Sequence, residues 1–431
     1  MGGYFRDGAA LDLEARWSII EKKLQPFFGS IVDTLIVSGN TRSRRITIIR
    51  EMATKQGESL DEGLIRRDSS YLRGLGYFSD VHISAEKTIP GRCRVYVHVL
   101  ERPDLFMKYP YPVVNYDFNK GLSYGLTWKV KNFRGVGEEL AFSALKRRDK
   151  DHGGSFSWTI PWFGGRRMLM HYRLSTFRRL EEPVSDDFIK EQNRVDVVFG
   201  LPLSKSLVRQ VWFTTTLSFE GRDSRQRLNG NSCFYRQNFL AAGFGLRYDS
   251  RDNRITPWRG TFSRIDVKRF TSVHGLEQQY IFYNLSQYLY LPIGSVGTII
   301  LAADGIVREG DLPSFYEMGL GGSSDLRGFV NGDLEGKAKI LSTVQWRRRI
   351  YGPRIFNIPY IGKFDLSLNL IAFIDNGSLM DCIDEVREAK FYTTGGAGIE
   401  VVSPIQDLMR IEVAGDEDGD LVFYFTSGSR F

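Results

Sequence analysis

The sequence predicts a membrane all-β protein: a sixteen-stranded antiparallel transmembrane β-barrel preceded by one small α+β domain of order β-α-α-β-β. Three observations lead there. From about residue 110 to the last residue the chain reads as strands with period-2 alternation separated by turn residues. At about twenty residues per strand and turn, that length holds on the order of sixteen strands, an even number suited to a single-chain barrel. The 431 residues include 44 Gly, 20 Tyr and 30 Phe against 14 Pro, a mix that serves many strands closed by tight turns. Helical periodicity is confined to the residues before Pro103.

Composition removes several classes. No stretch approaches the roughly eighteen continuous apolar residues of a transmembrane helix, which excludes a helical membrane protein. A membrane barrel escapes that test because every second strand residue faces the lumen, and the mean hydropathy of −0.25 fits it as well as a soluble protein. Cys93, Cys233 and Cys382 are odd in number and far apart, so no disulfide framework is implied. The net charge of +7 is spread along strands and turns, as in Arg178-Arg179 and Arg347-Arg348-Arg349, without the clustering of a nucleic-acid face. A soluble propeller would need internal repeats of about forty residues, and a pair of sandwiches two cores with a linker; neither is found.

Taken in order, residues 1–30 are expected to hold a helix and linker. Met1 to Ala10 lack a basic region followed by an apolar core, so a mature or truncated form, or another route into the membrane, is expected. Leu13, Trp17, Ile20 and Leu24 recur at helical intervals until Pro26, a pattern that reads as a linker helix or as a helix lying in a membrane interface. Residues 31–104 form the α+β domain. A strand from Ile31 to Val37 ends at Ser38-Gly39-Asn40; Thr41 or Ser43 then caps a helix with Ile46, Ile49 and Met52 on one face. A second helix carries Leu64, Ile65, Tyr71, Leu72 and Leu75 and breaks at Gly76. Two strands follow, Val81 to Ala85 and Arg94 to Glu101, the latter alternating Val95, Val97 and Val99 with Arg94, Tyr96 and His98. Residues 105–431 form the barrel. In Val211 to Glu220, for example, Val211, Phe213, Leu217 and Phe219 alternate with Trp212, Thr214, Thr216 and Ser218.

Motifs in both halves resemble one family. Ile36-Val37-Ser38-Gly39-Asn40, then Leu72-x-x-Leu75-Gly76-Tyr77-Phe78-Ser79-Asp80-Val81, then Val97-x-Val99-x-Glu101-Arg102-Pro103 resemble a POTRA domain, the periplasmic module of outer-membrane assembly and secretion proteins. Asn132-Phe133-Arg134-Gly135-Val136-Gly137-Glu138, Tyr248-Asp249-Ser250-Arg251-Asp252-Asn253, Phe373-Ile374-Asp375-Asn376-Gly377 and Gly396 through Pro404 resemble barrel motifs of the BamA-like outer-membrane assembly factors. Leu326-Arg327-Gly328-Phe329 resembles that family's inward-folding loop motif, with Leu where Val or Ile is more usual; the inward loop is expected over residues 310–338. The chain ends on Phe431, as outer-membrane strands do.

The resemblance implies a loop-lock cluster of Arg327, Gly328 and Phe329 with Asp375 and Glu400, the carboxylates expected opposite the arginine. A guanidinium held away from bulk water must find partners. Alternation supports the facing: Phe373 shares the inward side with Asp375, while Ile399 and Val401 flank Glu400 and point outward. A second expected feature is a weak seam between the first and last strands, marked by Pro110 and Pro112, which donate no ladder hydrogen bond, and by Gly428 and Phe431 at the chain's end. The prolines read equally as a join between linker and strand.

Catalytic patterns are missing. His82, His98, His152, His171 and His274 are scattered, with no metal-ligand spacing, and Gly332 through Ala338 falls one residue short of a phosphate-binding loop and lacks its Ser or Thr. The acidic run Asp416 to Asp420 reads as a solvated hairpin tip rather than a calcium loop. The protein is therefore expected not to be an enzyme and to need no metal or cofactor. The resemblance implies an insertase that receives unfolded β-barrel clients and promotes their folding into an outer membrane without nucleotide. The alternative is a secretion pore of the two-partner or patatin-linked type. The implied location is an outer membrane, bacterial in the first place, mitochondrial or plastid otherwise, with the POTRA domain on the periplasmic side. Implied partners are unfolded barrel clients, the lipid bilayer, and accessory subunits or chaperones at the POTRA domain. The family's bacterial members generally carry several POTRA domains and the mitochondrial sorting barrel one, so a single copy leaves the accessory partners open.

Overall fold

A computed structural model describes residues 23–102, 109–118, 121–147, 151–181, 188–228, 231–312, 318–329, 334–358, 362–403, 407–428 and 430. The helix expected from residue 11 lies mostly outside them. What is described of it is Leu24, fully buried in the N-terminal core, and a 3-10 turn at Gln25–Phe27 carrying Pro26.

The small domain is a three-stranded sheet with two helices. Strands β1 (Ile31–Ser38) and β3 (Arg92–Glu101) run parallel, and β2 (Phe78–Lys87) pairs antiparallel on the other side of β3. Val95, Val97 and Val99 turn inward from β3 and meet Val32, Leu35, Ile48, Met52, Ile65 and Leu72 in one core. Helix α2 (Glu62–Gly74) begins at Asp61, whose carboxylate accepts the Leu64 N–H at 2.8 Å, satisfying a donor that the first turn leaves free. It stops at Gly76, which takes a positive φ of 84°. Helix α1 (Arg45–Ile49) corrects the reading of residues 41–57: it spans five residues, and neither Thr41 nor Ser43 caps it. Both hydroxyls donate to Glu101 instead, at 2.7 and 2.5 Å. The buried face is Thr47 and Ile48, and Ile46 is exposed.

The rest of the described chain is a closed antiparallel barrel of sixteen strands. In order they are β4 (Tyr111–Asp117), β5 (Gly121–Phe133), β6 (Glu138–Arg147), β7 (Asp151–Ile160), β8 (Leu169–Glu181), β9 (Phe188–Pro202), β10 (Gln210–Leu228), β11 (Asn231–Asp249), β12 (Gly260–His274), β13 (Gln279–Pro292) and β14 (Thr298–Gly310). After two short bridging strands, β15 (Met318–Gly319) and β16 (Glu335–Gly336), come β17 (Ala338–Ile358), β18 (Gly362–Met380), β19 (Tyr392–Ser403), β20 (Asp407–Gly415) and β21 (Leu421–Ser427). Each barrel strand pairs with its neighbours along the chain, and β21 returns to β4. Alternation sorts the two faces as expected of a lipid-facing wall: on β10, Leu217 and Phe219 are 62% and 41% exposed while Thr216 and Ser218 are buried.

The small domain sits across the mouth at the end where β4 begins and β21 ends. Its contacts are with that end's turns. Arg44 N–H and Thr47 Oγ1 donate to the Gly135 carbonyl at 3.0 and 2.8 Å in the β5–β6 turn. Trp162 Nε1, after β7, donates to Glu51 at 2.6 Å, and Arg254, between β11 and β12, donates to the Tyr71 hydroxyl at 2.7 Å. Arg102 pairs with Asp365 near the start of β18 at 3.1 Å. In the β5–β6 turn Asn132 and Arg134 both take φ 59°, and the Asn132 amide donates to Ser43 Oγ at 2.7 Å.

Candidate functional site: an inward loop across the barrel seam

Between β14 and β17 the chain turns into the barrel. Leu320, Leu326 and Phe329 form a small buried cluster, and the Phe329 ring lies 4.6 Å from that of Tyr392 on β19. Gly328 makes the fold possible: its φ is 92°, and a Cβ there would stand 3.0 Å from the Gly415 backbone. Arg327 is fully buried. Its Nε and Nη2 grip the two oxygens of Asp375 on β18 at 2.7 and 2.8 Å, and Nη1 reaches Glu412 on β20 at 2.6 Å and Gln345 on β17 at 3.2 Å. Its guanidinium carbon stands 3.2 Å from the Phe373 ring centroid. A buried guanidinium is tolerated on these terms, with the fork satisfied by carboxylates and a ring face. Thr343 and Arg430 also donate to Asp375, each at 2.7 Å.

The expected place of Glu400 is corrected. Glu400 is buried but pairs with Arg347 at 2.7 Å, with Asn369 donating to it at 3.3 Å. The ladder explains this. Glu400 is level with Asn369 on β18, whereas Asp375 is level with Thr394. Six residues separate the two levels, about 20 Å along a strand. Glu412 takes the second position beside Arg327. A signal for it existed, since Arg410, Glu412 and Ala414 alternate with Ile411 and Val413 on β20.

The seam is short. Among the described residues β4 and β21 pair at two positions, Tyr424 with Asp117 and Phe425 with Tyr116, although each strand is seven residues long and pairs at seven positions with its other neighbour. Beyond these pairs a side chain takes over: Asn115 Oδ1 accepts from Ser427 N–H and Oγ at 2.8 and 2.9 Å. Pro110 stands just ahead of β4, Pro112 lies within it opposite Leu126, and Phe431 lies outside the described residues. Gly428, with φ 105°, donates its N–H to Leu408 at 2.8 Å and turns the chain inward, so that Arg430 reaches Asp375 and the Asp325 carbonyl.

Loop and seam, treated separately at the level of sequence, are one assembly. Ser323 N–H donates to Asp117 on β4 at 2.9 Å, and Gly328 N–H donates to the Tyr424 hydroxyl on β21 at 3.0 Å. The loop thus holds both strands of the seam from inside, with Arg430 as a third tie. Asp117, Tyr424, Glu412 and Arg430 are the members that sequence reasoning missed. Among the described residues no group of three His, Cys, Asp or Glu side chains is placed to hold a metal ion.

Comparison with known proteins agrees with this arrangement. The Omp85 superfamily domain matches residues 132–431, and a POTRA model described as a surface antigen variable number repeat matches residues 31–102. Among solved structures, the fold is similar to BamA from Haemophilus ducreyi lacking POTRA domains 1–3, at TM-score 0.53 and 16% identity over 93% of this chain and 84% of that one. It is also similar to CdiB from Acinetobacter baumannii (TM-score 0.55, 12% identity, 92% and 73% covered) and CdiB from Escherichia coli (0.54, 13%, 97% and 99%). With a POTRA domain followed by a sixteen-stranded outer-membrane barrel, the chain belongs to the Omp85 superfamily.

Proposed function

We propose that this protein is an insertase that lowers the barrier for β-barrel clients to fold into a bacterial outer membrane, with its POTRA domain on the periplasmic side. The observation that carries the reading is the seam of two paired positions. Strand edges in lipid carry unpaired N–H and C=O groups at a cost of several kcal/mol each, so a nearly open seam is the place where a client strand gains most by pairing. A client edge adds there by β-augmentation. The loop sets the timing: while Ser323 and Gly328 hold Asp117 and Tyr424, the seam stays shut, and release of the loop frees both strands. No covalent bond changes and no nucleotide is consumed; burial of apolar strand faces and pairing of backbone groups drive the reaction. The POTRA domain receives the client, and accessory subunits or chaperones dock on it.

The test is reconstitution in liposomes with an unfolded barrel client, followed by the appearance of heat-modifiable folded client. Faster folding than in empty liposomes is expected. Ion conductance with no acceleration would instead favour the secretion pore.

A further inference from the structure

Away from the loop, the lumen wall formed by β7 to β12 lines an open pocket of about 650 Å³ beneath the POTRA domain, within the range of small-molecule sites. Its lining is strongly cationic. Arg167, Arg173, Arg254 and Lys268 face it, and among the described residues none has a carboxylate within ion-pair distance. Arg254 donates to the Tyr71 hydroxyl at 2.7 Å; Arg167 donates only to the Ser204 and Ser206 carbonyls, at 3.1 and 3.2 Å, and its Nη2 is buried without a hydrogen-bond partner. Three more arginines line the same space but are held by neighbours, Arg194 by Asp196, Arg247 by Asp249 and Arg264 by Asp266.

The balance of charge on the wall is one-sided: seven cationic side chains line it against two acidic ones, Glu51 and Asp196. Arg247 and Arg264, each with its own carboxylate, stand directly opposite each other on β11 and β12. Asp196 is taken up by Arg194, and Glu51, which the POTRA domain contributes, accepts from Trp162 Nε1 at 2.6 Å. An aromatic side is also present: the Arg167 guanidinium lies 5.1 Å from the Trp212 ring centroid.

We infer that this chamber is an anion-binding site whose ligand is a compound carrying several phosphate groups. Guanidinium forks match phosphate oxygens bidentately, and several such groups on one wall select a multiply charged ligand over chloride. The inference goes beyond insertase activity and does not depend on it.

The test is calorimetric titration of the detergent-solubilised full chain with tripolyphosphate. One saturable site is expected, weakening as salt is raised, and about tenfold weaker or more in the Arg173→Gln/Lys268→Gln variant, which removes two charge-assisted contacts. Both positions face open lumen, and the wild-type salt dependence stands as a second readout should the variant fold poorly. Competition by a diphosphorylated lipid in mixed micelles assigns the ligand to a headgroup; no competition assigns a soluble phosphate compound; either retains the site. Absence of saturable binding, variant affinity equal to wild type, or oligoglutamate binding where tripolyphosphate does not would overturn the inference.

Discussion

At the scale of single residues, Arg327 concentrates the most interaction in the smallest space. Replacing it by Ala would leave Asp375 and Glu412 buried without the cation between them, a loss of about 3 kcal/mol or more of loop docking, partly offset because Asp375 keeps Arg430 and Thr343. Arg327→Ala is expected to make the loop protease-sensitive and to slow client folding. Glu412→Gln should do the same to a lesser degree, and Glu400→Gln should leave loop protection unchanged because its partner is Arg347. Limited proteolysis of the three variants checks this; equal protection in Arg327→Ala and wild type would sink the lock. The contrast also shows what a sequence can specify. Alternation around Phe373 and Asp375 indicates which side chains enter the lumen, but not the level at which they meet. Level depends on ladder register and strand tilt, and so Glu400 and Glu412, both inward, could be told apart only once β18, β19 and β20 were aligned.

At the scale of elements, the strands and α2 were legible because each carries a strong local pattern: Val95, Val97 and Val99 on β3, and the stripe of Ile65, Tyr71 and Leu72 ending at Gly76 on α2. Residues 41–57 were not, because a long-range partner overrides the local signal. Glu101, at the end of β3, draws the Thr41 and Ser43 hydroxyls and the backbone N–H groups of Arg42 and Ser43. The resulting loop leads into α1 and presents Ser43 to Asn132 of the β5–β6 turn, so one carboxylate shapes the docking of the domain on the barrel. Burial alone would raise the Glu101 carboxyl; the donations from Ser43, Thr41 and the two N–H groups outweigh it and hold it at about 2. A carboxyl held below its ordinary value stabilises the fold above that ordinary value, near 4.5, and loses the contribution as pH falls from there through about 2. Glu101→Gln is therefore expected to melt below wild type at pH 7, with the gap shrinking below about pH 4. Melting curves of the full chain across that range decide it; a gap independent of pH would mean that the carboxylate's charge is not what holds the loop.

At the scale of the whole molecule, the barrel could be read from period-2 alternation because water and lipid on opposite faces of one wall impose it at every strand. Its two departures from regularity were legible only in part. The POTRA domain's position over the mouth rests on single contacts such as Arg254 with Tyr71, and the two-position seam depends on how strands more than three hundred residues apart align, Asn115 with Ser427 being 312 apart. Prolines hinted at the seam, yet the length of its ladder and the loop ties across it emerge only from the three-dimensional alignment. If client strands enter there, joining the seam must stop insertion without emptying or blocking the lumen. Tyr116 and Phe425 are directly opposed, close enough across an antiparallel pair for a disulfide. A Tyr116→Cys/Phe425→Cys variant, oxidised, is expected to lose accelerated client folding in liposomes and to regain it on reduction. Conductance through the lumen should be the same in both states, which separates closure of the wall from damage to the barrel. Undiminished client folding by the oxidised form would rule out lateral opening as the route of insertion.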